Sequence, residues 1–99
     1  MGIKNFRNKA TEDINYGRIS KEALRRLPAY LHQKAQIKLA RLGVASSMKD
    51  LIEMRGNRFE LLKGDRKGLC SMRINDQYRI CFKWHKENAE GVEIVYYHD

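Results

Sequence analysis

A chain of 99 residues, 42% hydrophobic and 32% charged, has room for one core and buries roughly 60–65% of the surface its unfolded form exposes, so residues 1–99 read as a single domain. No apolar run approaches the roughly 20 residues that span a bilayer, and the opening MGIKNFRNK lacks a signal peptide's apolar stretch; no membrane contact and a cytoplasmic location are expected. Twenty Lys and Arg against twelve Asp and Glu leave a formal charge of +8, which favours a polyanion such as nucleic acid, or an acidic protein, as partner.

Residues 3–6 predict a short opening strand. Residues 9–16 have weak helical spacing through Ala10 and Ile14 and stop at Gly17, a residue suited to the position just past a helix. Ser20 is placed to cap another short turn. Pro28 suits the first turn of a longer helix over residues 28–42, in which Leu31, Ala35, Leu39 and Leu42 form one stripe, Tyr30 and Ile37 widen it, and Gly43 ends it. The basic line Lys34, Lys38, Arg41 on that helix reads as a solvated face or as a grip on nucleic-acid phosphates. Ser47 and Asp50 have capping-box spacing for a short helix bearing Met48, Leu51 and Ile52.

From Gly56 onward the period changes to two. Residues 59–62 predict a strand, 63–68 a glycine-flanked loop, 86–91 a polar turn and 92–98 a closing strand. Between them, LCSMRI alternates Cys70, Met72 and Ile74 with Ser71 and Arg73, and YRICF alternates Tyr78, Ile80 and Phe82 with Arg79 and Cys81. Asn75, Asp76 and Gln77 form the turn. Matching faces puts Ile74 opposite Tyr78, Met72 opposite Ile80 and Cys70 opposite Phe82 on the core side, which leaves Arg73 opposite Arg79 on the other. Like charges only about 5 Å apart repel; such a pair needs an anion, for which phosphate is the natural candidate, or splayed side chains.

The same register sends Cys70 and Cys81 to opposite sides, which argues against a disulfide and fits a reducing compartment. With no clustered histidine or carboxylate, no metal site is expected, and no other cofactor. One strand, then helices, then four strands indicate an α+β fold with the helices on one face of a small, mostly antiparallel sheet. Arg73 and Arg79 would lie on the uncovered face. Phe59 and Trp84 read as core or rim aromatics.

The segments NRFELLKGDRKG, SMRINDQYRICFKW and VEIVYYH give the chain, over nearly its whole length, a resemblance to the HigB toxins, plasmid-maintenance killer proteins of the RelE superfamily. That resemblance implies a RelE-like fold and the toxin of a type II toxin-antitoxin system, a ribosome-dependent endoribonuclease that inhibits translation by cutting messenger RNA. It also implies a HigA-like helix-turn-helix antitoxin as partner, with DNA met only through the antitoxin complex. The implied chemistry is metal-independent attack of a 2′-hydroxyl on the adjacent phosphate, which needs a base, an acid and cations to stabilise the phosphorane.

By position, the resemblance puts the phosphate-binding arginine on Arg79 and a second stabilising cation on Lys63. The terminal Tyr-His of the family falls on Tyr97 and His98. Histidine titrates near neutrality, so His98 is the expected proton-transfer group, while Tyr97 orients the phosphate or stacks on a base. Arg58, Arg66, Lys67 and Arg73 are expected to bind RNA. An Arg79→Ala variant is expected to lose toxicity with folding intact.

Two positions depart from the family pattern. Tyr96 stands where many relatives have Asp, and Glu60 where some have histidine; Glu60 is a possible base, or a partner of Arg58. These departures keep alternatives open: a non-catalytic basic protein that blocks translation by binding RNA or the ribosome, or a weakened toxin retained as an antitoxin-binding partner. Strand parity, moreover, sends Tyr96 and His98 one way and Tyr97 the other. Tyr97 and His98 share a site only where the strand ends or twists.

Overall fold

Helices begin where a short polar side chain can take a backbone N–H that the first turn leaves unpaired. In the computed structural model, which describes residues 2–62 and 68–97, Asn8 caps α1 (Lys9–Asn15) by accepting from the Thr11 amide at 2.9 Å. Ser20 caps α2 (Lys21–Arg26) through the Ala23 amide at 3.1 Å and donates to Asp13 at 2.7 Å, so one hydroxyl starts α2 and ties it to α1. The expected turn at Ser20 is thus a helix.

Pro28 precedes a tight turn, Ala29–Leu31, before α3 (His32–Val44) begins. The helix runs through Gly43 instead of ending there. Leu31, Ala35, Leu39 and Leu42 face the core as expected, but Tyr30 and Ile37 do not widen that stripe: they are 78% and 48% exposed. At about 100° per residue, position 37 lies on the far side of the helix from positions 35 and 39. Helix α4 (Met48–Glu53) is capped by Ser47, and Asp50 accepts from the amide and the hydroxyl of Ser46, at the start of the helix where a capping box is expected.

The strands are β1 (Gly2–Ile3), β2 (Glu60–Leu61), β3 (Leu69–Arg73), β4 (Tyr78–His85) and β5 (Asn88–Tyr96), in the order β1-β5-β4-β3-β2. Only β1 is parallel to its neighbour; the other pairs are antiparallel. The opening strand is shorter than expected, with Phe6 reduced to a single bridge to Val92. The closing strand is longer. Lys86 and Glu87 alone make the turn, both at positive φ, with His85 and Asn88 paired across it; this is the twist-matched two-residue hairpin, formed without its usual Asn-Gly signal. Between Cys81 and Lys83 the β4–β5 register shifts, and Gly91, at φ +59°, takes up the extra residue.

The β3–β4 register is the one the alternation predicts: Cys70 opposite Phe82, Met72 opposite Ile80, Arg73 opposite Arg79. The helices cover the face that carries Met72, Ile80, Phe82 and Ile94, which together with Ile14, Leu39 and Leu42 are fully buried. Buried Thr11 fixes α1 to β5 by accepting from the Ile94 amide at 3.0 Å. Phe59 and Trp84 pack at the edge of this core, and Cys70 and Cys81 are buried and not joined by a disulfide. The architecture is α+β. Among the described residues, no helix is long and apolar enough to cross a membrane.

Candidate active site

The two opposed arginines of β3 and β4 solve their repulsion by parting. Arg73 turns toward the hairpin end and meets Asp76 at 2.5 Å, and that bond holds the Asp76 carboxyl below its ordinary range. Arg79 turns along the sheet. Its Nε donates to Ser71 Oγ at 2.8 Å, the diagonal neighbour on β3, and its Nη2 donates to the Ser71 carbonyl at 3.4 Å and to the Arg58 carbonyl.

The expected open face is therefore only partly open. Arg79 is 7% exposed, and what lies against it is the backbone of Arg58, not a helix. Arg58 adopts φ +43°, the left-handed region that a non-glycine residue enters at a cost of roughly 1 kcal/mol, and in that conformation its carbonyl meets the guanidinium. Among the described residues, Arg79 Nη1 approaches one acid, Glu60 Oε1, at 4.0 Å. Glu60 thus faces Arg79 rather than Arg58.

Strand parity holds for Tyr96 and Tyr97. Tyr97 lies on the Arg79 side, its ring centroid 5.4 Å from the guanidinium carbon, and its amide donates to the Gln77 carbonyl at 2.5 Å. Tyr96 lies on the helix side, edge-on to Tyr78 at 5.4 Å. Arg58, Glu60, Arg73, Arg79 and Tyr97 consequently share one hollow of about 240 Å³ with Asn75 and Asp76. Three guanidiniums and two carboxylates line it, a surplus of positive charge suited to one phosphodiester. Lys63, Arg66, Lys67 and His98 lie outside the described residues.

Several residues that shape this site carry no periodic signal. Ser71 reads as an outward strand residue, yet it is fully buried and orients Arg79. Asn75 looks like generic turn chemistry; its Oδ1 accepts from the Gln77 and Tyr78 amides at 2.9 and 2.8 Å and closes the hairpin. Asp76, three residues from Arg73 across that turn, is the acid that meets it. Lys38, on the basic line of α3, is buried, and burial first, then the charges of Lys34, Arg73, Arg41 and Arg79, lowers its ammonium to about 8.

A larger hollow of about 500 Å³ lies on the helix side, among Lys9, Arg25, Arg26, Tyr78 and Tyr96. Its Arg26 donates to the Ile94 carbonyl at 3.2 Å, whereas Arg79 in the smaller hollow is fixed through both Nε and Nη2, and size does not outweigh that. Among the described residues, no group of three His, Cys, Asp or Glu is placed to hold a metal ion.

The helices, the five-stranded sheet and the arginine face together have the form of a RelE-like toxin. A solved YoeB/ParE toxin from Agrobacterium tumefaciens matches with a TM-score of 0.53 at 20% identity, covering 78% of this chain and 85% of that one, which is a likeness of fold. In sequence, the model of a family described as the RelE-like toxin of the type II toxin-antitoxin system HigB matches residues 4–98. Toxin HigB-1 of Vibrio cholerae serotype O1 is 40% identical over 75 residues, 76% of this chain and 75% of that protein. The chain belongs to the HigB family of type II toxins, and membership implies an antitoxin partner.

Proposed function

We propose that this protein is a ribosome-dependent endoribonuclease that cleaves messenger RNA in the cytoplasm and is held inactive by a HigA-like helix-turn-helix antitoxin. The observation that carries this reading is the seating of Arg79. Its Nε and Nη2 are committed to Ser71 and Arg58, so the guanidinium is already oriented, while Nη1 faces Glu60 beside the shared hollow. A cation fixed in advance stabilises charge that develops on a phosphorane without reorganising during the reaction.

A phosphate oxygen seated on Nη1 takes the position that Glu60 approaches at 4.0 Å and leaves that carboxylate near the neighbouring ribose. Glu60 then accepts the proton of the 2′-hydroxyl as the 2′-oxygen bonds to phosphorus. The bond to the 5′-oxygen breaks, and His98 protonates that leaving group. The products are a 2′,3′-cyclic phosphate and a 5′-hydroxyl. Lys63 adds charge at the phosphate; Arg58, Arg66, Lys67 and Arg73 hold flanking phosphates; Tyr97 steadies Arg79 and stacks on a base. The parts given to Lys63, Arg66, Lys67 and His98 rest on the family resemblance.

The second reading, translational blockade without cutting, draws on the same arginine, since a guanidinium so fully held by protein acceptors offers few donors to a transition state. Mapping messenger 5′ ends after induction separates the two. New ends within codons of translated messages, absent with a His98→Ala control, are expected; arrested growth with intact transcripts would establish blockade instead.

A further inference from the structure

Helix α3 sends one cation inward. Lys38 is 8% exposed, and its Nζ donates to the Gly56 carbonyl at 3.1 Å and to Asn57 Oδ1 at 3.3 Å. Among the described residues no carboxylate pairs with it, and the charges that act on it, those of Lys34, Arg73, Arg41 and Arg79, are all positive. An ammonium buried in such company is unfavourable for folding. Its place in the fold calls for another account.

Direct contact with RNA does not supply one, because the amine is buried and its bonds run inward. What those bonds hold is a loop. Asn57 is fully buried; its Nδ2 donates to the Leu51 carbonyl at 3.1 Å, and its own carbonyl accepts from the Arg73 amide at 2.6 Å. The next residue is Arg58, whose left-handed backbone turns its carbonyl onto Arg79 Nη2. A continuous chain of bonds therefore runs from α3 through residues 56–58 to both opposed arginines. Bonds donated by an ammonium are roughly twice as strong as neutral ones, which suits a loop that must keep a strained residue in place.

We propose that Lys38 is a positioning residue for the phosphate site: it clamps residues 56–58 from beneath, in the one conformation that presents the Arg58 carbonyl to Arg79, and so sets the direction of the guanidinium edge left for RNA. This rests on the reading of Arg79 as the phosphate ligand. Lys38 itself touches neither phosphate nor ribose.

The test is nuclear magnetic resonance on the full chain, with inorganic phosphate as probe. Two signals report the chain of bonds: the Nε–H of Arg79, donated to Ser71, and hydrogen exchange at the Arg73 amide, held by Asn57. In a Lys38→Met protein the Arg79 signal should shift, Arg73 protection should fall about tenfold, and phosphate should bind about five- to tenfold more weakly, with the α1, α2 and β5 signals unmoved. Lys38→Arg, which keeps a charged donor, should restore the Arg79 signal and phosphate binding; it also decides the matter if the Met variant does not fold, because loss of both in the Arg variant refutes the clamp.

A wild-type protein whose Arg79 signal ignores phosphate sinks the reading of Arg79 and this proposal with it. A responsive wild type beside an equally responsive Lys38→Met protein sinks this proposal alone.

Discussion

Arg79 lies over the ring of Tyr97, guanidinium carbon to centroid 5.4 Å, and the contact joins the second residue of β4 to the residue just past β5. Tyr97 is held in turn by its amide bond to Gln77, so the end of the chain is fastened to the hairpin whose arginine it covers. A cation over an aromatic face contributes roughly 0.5–2 kcal/mol, depending on desolvation.

The ring, not the hydroxyl, is therefore the part of Tyr97 that Arg79 uses. Tyr97→Phe should keep RNA cleavage within about threefold of wild type, and Tyr97→Ala should lower kcat/KM about tenfold, the equivalent of about 1.4 kcal/mol. Single-turnover cleavage on programmed ribosomes checks both. A Phe variant as impaired as the Ala variant would move the emphasis to the phenolic oxygen.

Burial of Arg79 changes what its removal does. Deleting the side chain leaves Ser71 Oγ and the Arg58 carbonyl without their donor, a loss of roughly 1–3 kcal/mol, so Arg79→Ala should be measurably less stable than wild type and is not the folding-neutral control the alternation suggests. Arg79→Lys keeps the charge but not the fork. It should stay closer to the wild-type Tm while losing about 10²–10³ in cleavage rate; thermal unfolding and cleavage measured on the same preparation separate the two effects.

Asp76 restrains Arg73. Replacing it with Asn removes a carboxylate from the hollow and releases the guanidinium it holds at 2.5 Å, and because Asp76 is exposed the effect on folding should be small. RNA affinity should rise a few-fold at low salt, and the slope of log affinity against log salt should steepen by about one phosphate contact. Unchanged affinity and slope in a filter-binding titration would mean that Arg73 faces no phosphate.

The buried amine of Lys38 predicts a stability that climbs with pH. Burial, then neighbouring cations, brings it from an ordinary 10.5 down to about 8, so between those values the unfolded chain holds a proton that the folded chain has given up. The folded state bears the full penalty of the charged amine below about pH 8 and is relieved of it as pH rises toward 10.5. Urea unfolding at about pH 7 and about pH 10 should show wild type gaining on the order of 1–3 kcal/mol relative to Lys38→Met. Equal gains in the two proteins would place the amine in ordinary solvent.

Much of the fold was legible because its signals are periodic or local. The alternation of Cys70, Met72 and Ile74 against Tyr78, Ile80 and Phe82 specifies a register, since slipping by one residue would turn a whole apolar set to the wrong face. Ser20 and Ser47 act within three residues of themselves. The misjudged places are those where such signals are weak: Lys86 and Glu87 enter positive φ without glycine or asparagine, and apolar character alone says neither that Tyr30 falls in the turn before α3 nor which side of α3 Ile37 occupies.

What the residues alone determined is the electropositive hairpin: an excess of eight positive charges, two arginines brought opposite each other by strand period, and motifs that mark the HigB toxins. Only the tertiary structure decided what each arginine does with its charge. Arg79 is oriented by a carbonyl 21 residues away and Lys38 by a loop 19 residues away, and no periodicity in a sequence encodes partners at such separations; they meet because the core beneath them brings α3, the 56–58 loop and the sheet into contact.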